Sequence, residues 1–164
     1  MYMRPDVTIH DGREGFGGYL EDFTPGDVFK HWPGKTITEM DNHLFSLLTM
    51  NNNPLHFDEH YMRDHQHGKI LVNGVLVMAL VVGMSVRETS GKAIANLEYE
   101  RVVHQGPVFQ GDTIYAESEI LELRPTRSRP DRGVVYIESR GVNQRGETIL
   151  SLRRRFLVPK RRRR

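Results

Sequence analysis

The chain contains no cysteine. That absence excludes a disulfide scaffold, thiolate zinc sites and cysteine nucleophiles together. A long apolar run is missing too. The most apolar stretch, Ile70 to Val86, is interrupted by Asn73, Gly74, Gly83 and Ser85. A membrane-spanning helix needs roughly 20 apolar residues, so this stretch reads as a buried core helix. Met1 to Asp11 carry charges and no apolar segment, unlike a secretory signal. The net charge of +2 is unevenly placed. Arg153, Arg154, Arg155, Lys160 and Arg161 to Arg164 supply eight positive charges, and the rest of the chain is net acidic. A basic end can bind polyanions, but the body lacks the basic stripe of a nucleic-acid surface. These absences predict a soluble cytoplasmic protein with neither a nucleic-acid nor a membrane partner.

What is present suits one domain: 164 residues, 38% of them hydrophobic. Residues 1–18 are rich in glycine and charge and read as a flexible arm. A short strand is expected at Val28 to Trp32. Thr38 is a good helix N-cap, with Asp41 placed to bond back to it. Met40, Leu44, Leu47 and Leu48 give the following helix an apolar face. Asn51-Asn52-Asn53-Pro54 ends it. A helical turn is expected over Asp58 to Asp64, and a second main helix over Val75 to Glu88, closed by Gly91. That helix is apolar almost all round and needs cover on most sides.

From Ala93 onward the pattern turns to strands: Ile94 to Val103, Thr113 to Leu123, Gly133 to Asn143 and Glu147 to Val158. Ile114, Ala116, Ser118 and Ile120 alternate with Tyr115, Glu117 and Glu119, so one face is buried. Helices first and antiparallel strands after predict an α+β domain, a helix lying on a curved sheet, over residues 19–158. Residues 159–164 form a basic tail.

Two clusters carry candidate chemistry. In Asn51-Asn52-Asn53-Pro54-Leu55-His56, His56 is the natural general base, because its ring titrates near neutrality. It sits just beyond a rigid turn, where a side chain can be aimed. Asn51 could orient a water or the ring, and Asp58 and Glu59 are the nearest carboxylates. The competing reading is a helix-ending turn with an incidental histidine. In Val72-Asn73-Gly74-Val75, Asn73 is the expected N-cap. Gly74 then offers an N–H at the positive end of a buried helix, where it could stabilise an oxyanion. The competing reading is that Gly74 only permits close packing.

These segments resemble the MaoC-like dehydratases, which include the (R)-specific enoyl-CoA hydratases. That family carries a segment reading roughly Gly-Asp-x-Asn-Pro-Leu-His. A His-Gly follows some twenty residues later and opens the central helix of a hot-dog fold. The counterparts here are Met50 to His56 and Asn73-Gly74. Gly106 to Asp112 and Asn143 to Glu147 resemble its strand turns. The resemblance spans roughly residues 20–158. It implies an antiparallel sheet wrapped around a long central helix, assembly into a homodimer or larger oligomer, an acyl-CoA or related thioester substrate, and no metal or other cofactor. It also implies a catalytic Asp–His pair, carried here by Asn51 and His56, with Asn53, Asn73 and Gly74 toward the substrate. The family Asp falls on Asn51, which cannot ionise but can hold a water through its carbonyl oxygen. The family His before the helix glycine falls on Asn73.

Rival motifs are weaker. His56-Phe57-Asp58-Glu59-His60 spells the inverted zinc-protease pattern, but Pro54 sets His56 at or before a helix start, which weakens the one-face spacing that zinc ligation needs. Asp64-His65-Gln66-His67 reads as a polar loop. Ser90-Gly91-Lys92 is no phosphate loop, since Val86 stands where the upstream glycine is required. The expected activity is reversible hydration of a 2-enoyl thioester, with a branched or dicarboxylic acyl group allowed. Thioester hydrolysis and a non-catalytic acyl-thioester or nucleic-acid binding module are the alternatives.

Overall fold

The computed structural model describes residues 12–161. Three helices precede most of the sheet: α1 (Glu39–Leu48), α2 (Glu59–Arg63) and α3 (Gly74–Ser85). The strands are β1 (Val28–Lys30), β2 (Lys35–Thr36), β3 (Ala95–His104), β4 (Thr113–Pro125), β5 (Arg132–Asn143) and β6 (Thr148–Pro159). They form one antiparallel sheet in the order β1-β4-β5-β6-β3, with β2 also pairing with β4. Thus the α+β arrangement of a helix on an antiparallel sheet holds.

α3 lies on the inner face of β4, β5 and β6. Leu76, Val77 and Val81 from the helix meet Ile114, Leu150 and Leu152 from the strands. The alternation read in β4 is real, with Ile114, Ala116, Ser118 and Ile120 all buried. Ser118 is tolerated there because its hydroxyl bonds Ser139 Oγ at 2.7 Å and His31 Nε2 at 2.9 Å. The helix passes close over Gly141, where a Cβ would stand 2.7 Å from Val81 Cγ2. Among the described residues no helix is long and apolar enough to cross a membrane.

Several boundaries and faces differ from expectation. α3 begins at Gly74 and stops at Ser85, short of Glu88; there Ser85 turns its hydroxyl back to Val82 O, and Val86 N–H bonds Gly83 O. β1 ends at Lys30, before Trp32. The largest correction concerns α1. Its apolar residues Met40, Leu44, Leu47 and Leu48 are exposed, and its buried side chains are Asn42 and Ser46.

Residues 12–18 are not a loose arm. Gly17 and Gly18 donate to Arg87 O and Thr89 O at 2.6 and 3.0 Å, and Lys92 Nζ reaches the carbonyls of Arg13 and Gly17. The rest of the expected arm, residues 1–11, lies outside the described residues, as do tail residues 162–164. Arg161 is held, its side chain on Asp22 at 2.5 Å and its N–H on Glu21 at 3.0 Å. Arg153, Arg154 and Arg155 belong to β6. Arg153 pairs with Glu138, Arg155 pairs with Glu98, and Arg154 is buried.

The close passage of α3 over Gly141 gives a direct test. Gly141→Val should overpack this contact and destabilise the fold by about 1–3 kcal/mol. Urea unfolding followed by circular dichroism should show a lower midpoint with an unchanged slope.

Candidate active site

The site is assembled by the buried side of α1. Thr38 caps the helix: its Oγ1 accepts from Asp41 N–H at 3.2 Å, and Asp41 Oδ2 accepts from Thr38 N–H at 2.8 Å. Lys35 Nζ, 2.8 Å from Asp41, holds that carboxyl down at about 2 despite partial burial. The helix start therefore stays charged and fixed at neutral pH. Asn42 and Ser46, four residues apart, share one face.

Asn42, fully buried, makes three bonds. Its Nδ2 donates to His56 O and Leu71 O, both at 3.2 Å, and its Oδ1 accepts from Asn73 N–H at 2.8 Å. Ser46 Oγ accepts from Asn73 Nδ2 at 3.1 Å, and Ser46 O accepts from Asn51 N–H at 2.9 Å. Two turns of helix thus bind the Asn51–His56 loop to the start of α3.

The loop is shaped locally. Met50 adopts φ 57°, the left-handed conformation that reverses the chain after α1. Asn53 N–H donates to Asn51 Oδ1 at 3.3 Å, and Asn53 Oδ1 caps a 3-10 turn, Pro54–His56, by accepting from Leu55 N–H at 3.1 Å. His56 closes the turn. Its Nδ1 lies 2.9 Å from Leu71 O. A carbonyl can only accept, so Nδ1 carries the proton and Nε2 holds the free lone pair of the neutral ring. Nε2 has no partner among the described residues, and neither does the Asn51 amide NH2.

The carboxylates near in sequence stay apart from this ring. Asp58 accepts from Tyr61 N–H at 2.8 Å as the N-cap of α2. Glu59 lines a separate cavity of about 250 Å³ with Glu39, Lys69 and Gln110. His56 and His60 fall in different elements, the 3-10 turn and α2, so the zinc-protease spacing is not set on one helical face.

Asn73 caps α3, accepting from Val75 N–H at 3.0 Å. With both side-chain groups and its N–H engaged inside the protein, it positions the helix start. Gly74 follows, and its N–H has no acceptor among the described residues. A Cβ at Gly74 would stand 2.7 Å from Cε1 of His104. Gly74 thus lies directly against the His104 ring, and the same residue presents an N–H without an acceptor among the described residues. His104 and Asn42 escaped the sequence reading. His104 reaches Gly74 through β3–β6 pairing, which no local pattern announces.

The MaoC like domain model matches residues 22–142. The chain belongs to the MaoC-like dehydratase family. Over 145 residues it is 32% identical to a mesaconyl-CoA hydratase of Cereibacter sphaeroides, covering 88% of this chain and 42% of that one. It is 33% identical to a beta-methylmalyl-CoA dehydratase of Chloroflexus aurantiacus, with 88% and 41% covered. The chain thus spans less than half the length of these curated relatives. Among solved structures, a MaoC-like dehydratase from Rhodospirillum rubrum superposes with TM-score 0.77 at 26% identity, covering 90% of this chain and all of that one. A Mycobacterium tuberculosis protein described as a double hot-dog fold superposes with TM-score 0.81 at 23% identity, covering 88% of this chain and 45% of that one. This MaoC-like domain has the hot-dog fold, its central helix being the twelve-residue α3.

Removing the joint tests the geometry. Asn42→Ala strands Asn73 N–H and His56 O inside the protein and leaves Leu71 O with His56 Nδ1 alone, a cost of about 1–3 kcal/mol for a buried unpaired group. The thermal midpoint should fall accordingly. Asn42→Asp should be worse than Asn42→Ala, because the new carboxylate would face two carbonyl oxygens.

Proposed function

We propose that this MaoC-like domain adds water to, and removes it from, a 2-enoyl thioester of coenzyme A. The observation that carries this reading is the bond of His56 to Leu71, three residues ahead of Gly74. It presents a basic imidazole nitrogen and an unengaged helix N-terminal N–H on two segments tied together by Asn42. The thioester carbonyl accepts from Gly74 N–H. Water attacks C3 as its proton passes to His56 Nε2, and the C2=C3 electron pair moves toward the carbonyl. His56 returns the proton to C2. The Gly74 N–H and the helix dipole stabilise the enolate-like charge on the carbonyl oxygen. Asn51 orients the water through its side chain. Dehydration is the same path reversed. No resident cofactor is required by these steps.

The names of the relatives extend the reading to a branched, dicarboxylic acyl group, since mesaconyl-CoA hydratase and beta-methylmalyl-CoA dehydratase describe two directions of one such reaction. Hydrolysis at the thioester carbon would use water differently, and the Asn-Pro-Leu-His loop supports hydration instead. The proposed setting is cytoplasmic, a reading supported by the lack of cysteine.

Assembly follows from what stays uncovered. β3 is one edge of the sheet, exposed on both faces along most of its length, with Leu97, Tyr99 and Val103 open. Met40 and Leu48 on α1 and the neighbouring Met50 are each more than 70% exposed. Edges and apolar faces of this kind need a partner. The unit proposed to cover them is a second copy of this domain, in a homodimer or larger even assembly. Light scattering at micromolar concentration should give at least twice the monomer mass, and a monomer would sink this part of the reading.

His56→Ala should lower turnover of crotonyl-CoA or mesaconyl-CoA by on the order of 100- to 10,000-fold, with a native circular dichroism spectrum. Asn51→Ala should cost less, as expected of a neutral group that acts through position. Loss of enoyl absorbance without release of free thiol distinguishes hydration from hydrolysis. Near-full activity in His56→Ala would show that the loop is only a turn.

A further inference from the structure

His56 leans on Leu71, a residue that belongs to none of the strands. The Leu71 carbonyl accepts from His56 Nδ1 at 2.9 Å and from Asn42 Nδ2 at 3.2 Å, and its N–H donates to Leu55 O at 3.0 Å. Beyond these bonds, Leu71 and Val72 are paired with one short loop. Leu71 forms an isolated antiparallel bridge with Phe109, and Val72 N–H donates to Val108 O at 2.9 Å. The aim of His56 therefore depends on where Val108 and Phe109 stand.

That loop is closed by one carboxylate. Phe109 N–H donates to Asp112 Oδ2 at 2.9 Å, and Asp112 N–H returns a bond to Phe109 O at 3.1 Å. Gly111 makes the reversal, at φ 88°. Asp112 Oδ1 accepts from Gln144 Nε2 at 2.7 Å and lies 3.5 Å from Arg145 Nη1. Gln144 is itself oriented, because its Oε1 accepts from Thr113 N–H at 3.0 Å. The two turns Gly106 to Asp112 and Asn143 to Glu147 thus meet at this group. The same turn also reaches α1. Asp112 O accepts from Ile37 N–H at 2.9 Å, and Gly111 N–H donates to Ile37 O at 2.8 Å, one residue before the Thr38 cap. Burial acts to raise the Asp112 pKa, but bonds from Gln144, Phe109 N–H and Arg145 hold it below the usual aspartate value. The carboxylate is thus buried and ionised at neutral pH.

We propose that Asp112 is a positioning residue for hydration: it fixes the Phe109 turn, the turn fixes the Leu71 carbonyl, and that carbonyl keeps the His56 proton on Nδ1 and its lone pair on Nε2. This rests on the hydratase reading above. The bonds of Asp112 run to Phe109, Gln144, Arg145 and Ile37, so it acts through backbone and not on the reacting atoms. A neutral imidazole has two tautomers, and only one of them carries a lone pair on Nε2. When Leu71 O moves away, the other tautomer gains population. That form cannot take a proton from water at Nε2.

The test uses two variants. Asp112→Asn keeps the shape but gives up the charge and one acceptor. Gln144→Ala changes an exposed residue and leaves Asp112 Oδ1 with Arg145 as its partner. Ring-nitrogen NMR shifts report the His56 tautomer. Turnover is measured well below each thermal midpoint, with crotonyl-CoA or mesaconyl-CoA, whichever the parent hydrates. The parent should show Nδ1 protonated and Nε2 bare. Asp112→Asn should move the ring toward a mixture of tautomers and lower kcat by about 10- to 100-fold, the scale of a small remote misplacement, with KM within about 3-fold. Gln144→Ala should shift both readouts the same way by less, and it carries the test if Asp112→Asn does not fold. A merely structural residue would lower the thermal midpoint and leave the tautomer as it was. Unchanged ring shifts, a changed ring with unchanged kcat, or a parent ring protonated on Nε2 overturn the proposal. A parent that hydrates neither thioester sinks the hydratase reading instead, and the ring shifts then decide whether Asp112 positions His56.

Discussion

The side-chain amide of Asn42 is the joint on which the site depends. It is fully buried, and its three bonds run to three different stretches of chain: the end of the His56 turn, the strand-like segment at Leu71, and the N-terminus of α3. A buried amide is expensive unless satisfied, and when satisfied it tolerates few alternative arrangements. Asn42 thus ties the His56 turn to the start of α3 through backbone groups on both. Ser46, one turn further along the same face, repeats the device by holding Asn73 and the Asn51 backbone.

That arrangement explains which parts of the molecule were legible in the sequence. Caps announce themselves because their donors and acceptors are two or three residues apart; Thr38–Asp41 and Asn73 are where the pattern placed them. The period-two burial of β4 was legible for the same local reason. The apolar face of α1 was legible, but which side of the helix is buried was not. Its leucines and methionines are exposed in the single chain, while a polar pair is buried by tertiary bonds that no window of sequence contains. The hot-dog fold itself was readable from motif resemblance. The contact of His104 with Gly74 was not, since thirty residues and a strand register separate them.

The basic end of the chain shows the same lesson in charge. Seen as composition, Arg153 to Arg155 belong to a polycationic tail. Placed on a strand, they alternate: Arg153 and Arg155 lie on the outer face with Glu138, Glu98 and Glu100, and Arg154 turns inward. Arg140 adds bonds to Glu117, Glu119 and Glu138 on the same outer face. These are mostly half-exposed pairs of modest individual worth. What they accomplish collectively is to match Arg140, Arg153 and Arg155 with carboxylates on one face of the sheet.

Arg154 has a wider consequence. Its guanidinium bonds Ser85 Oγ at 2.8 Å and Ser90 Oγ at 3.0 Å, and burial pushes its pKa down from the usual arginine value. Ser85 is the last residue of α3, so a buried cation sits at the helix's negative pole. The two poles are then treated unequally: one is neutralised inside the protein, and the other, at Gly74, is left without a compensating anion. An α-helix in this setting behaves as a rod with one live end. The positive potential at that end is a standing property of the fold, present before any ligand arrives and needing no rearrangement when negative charge develops there.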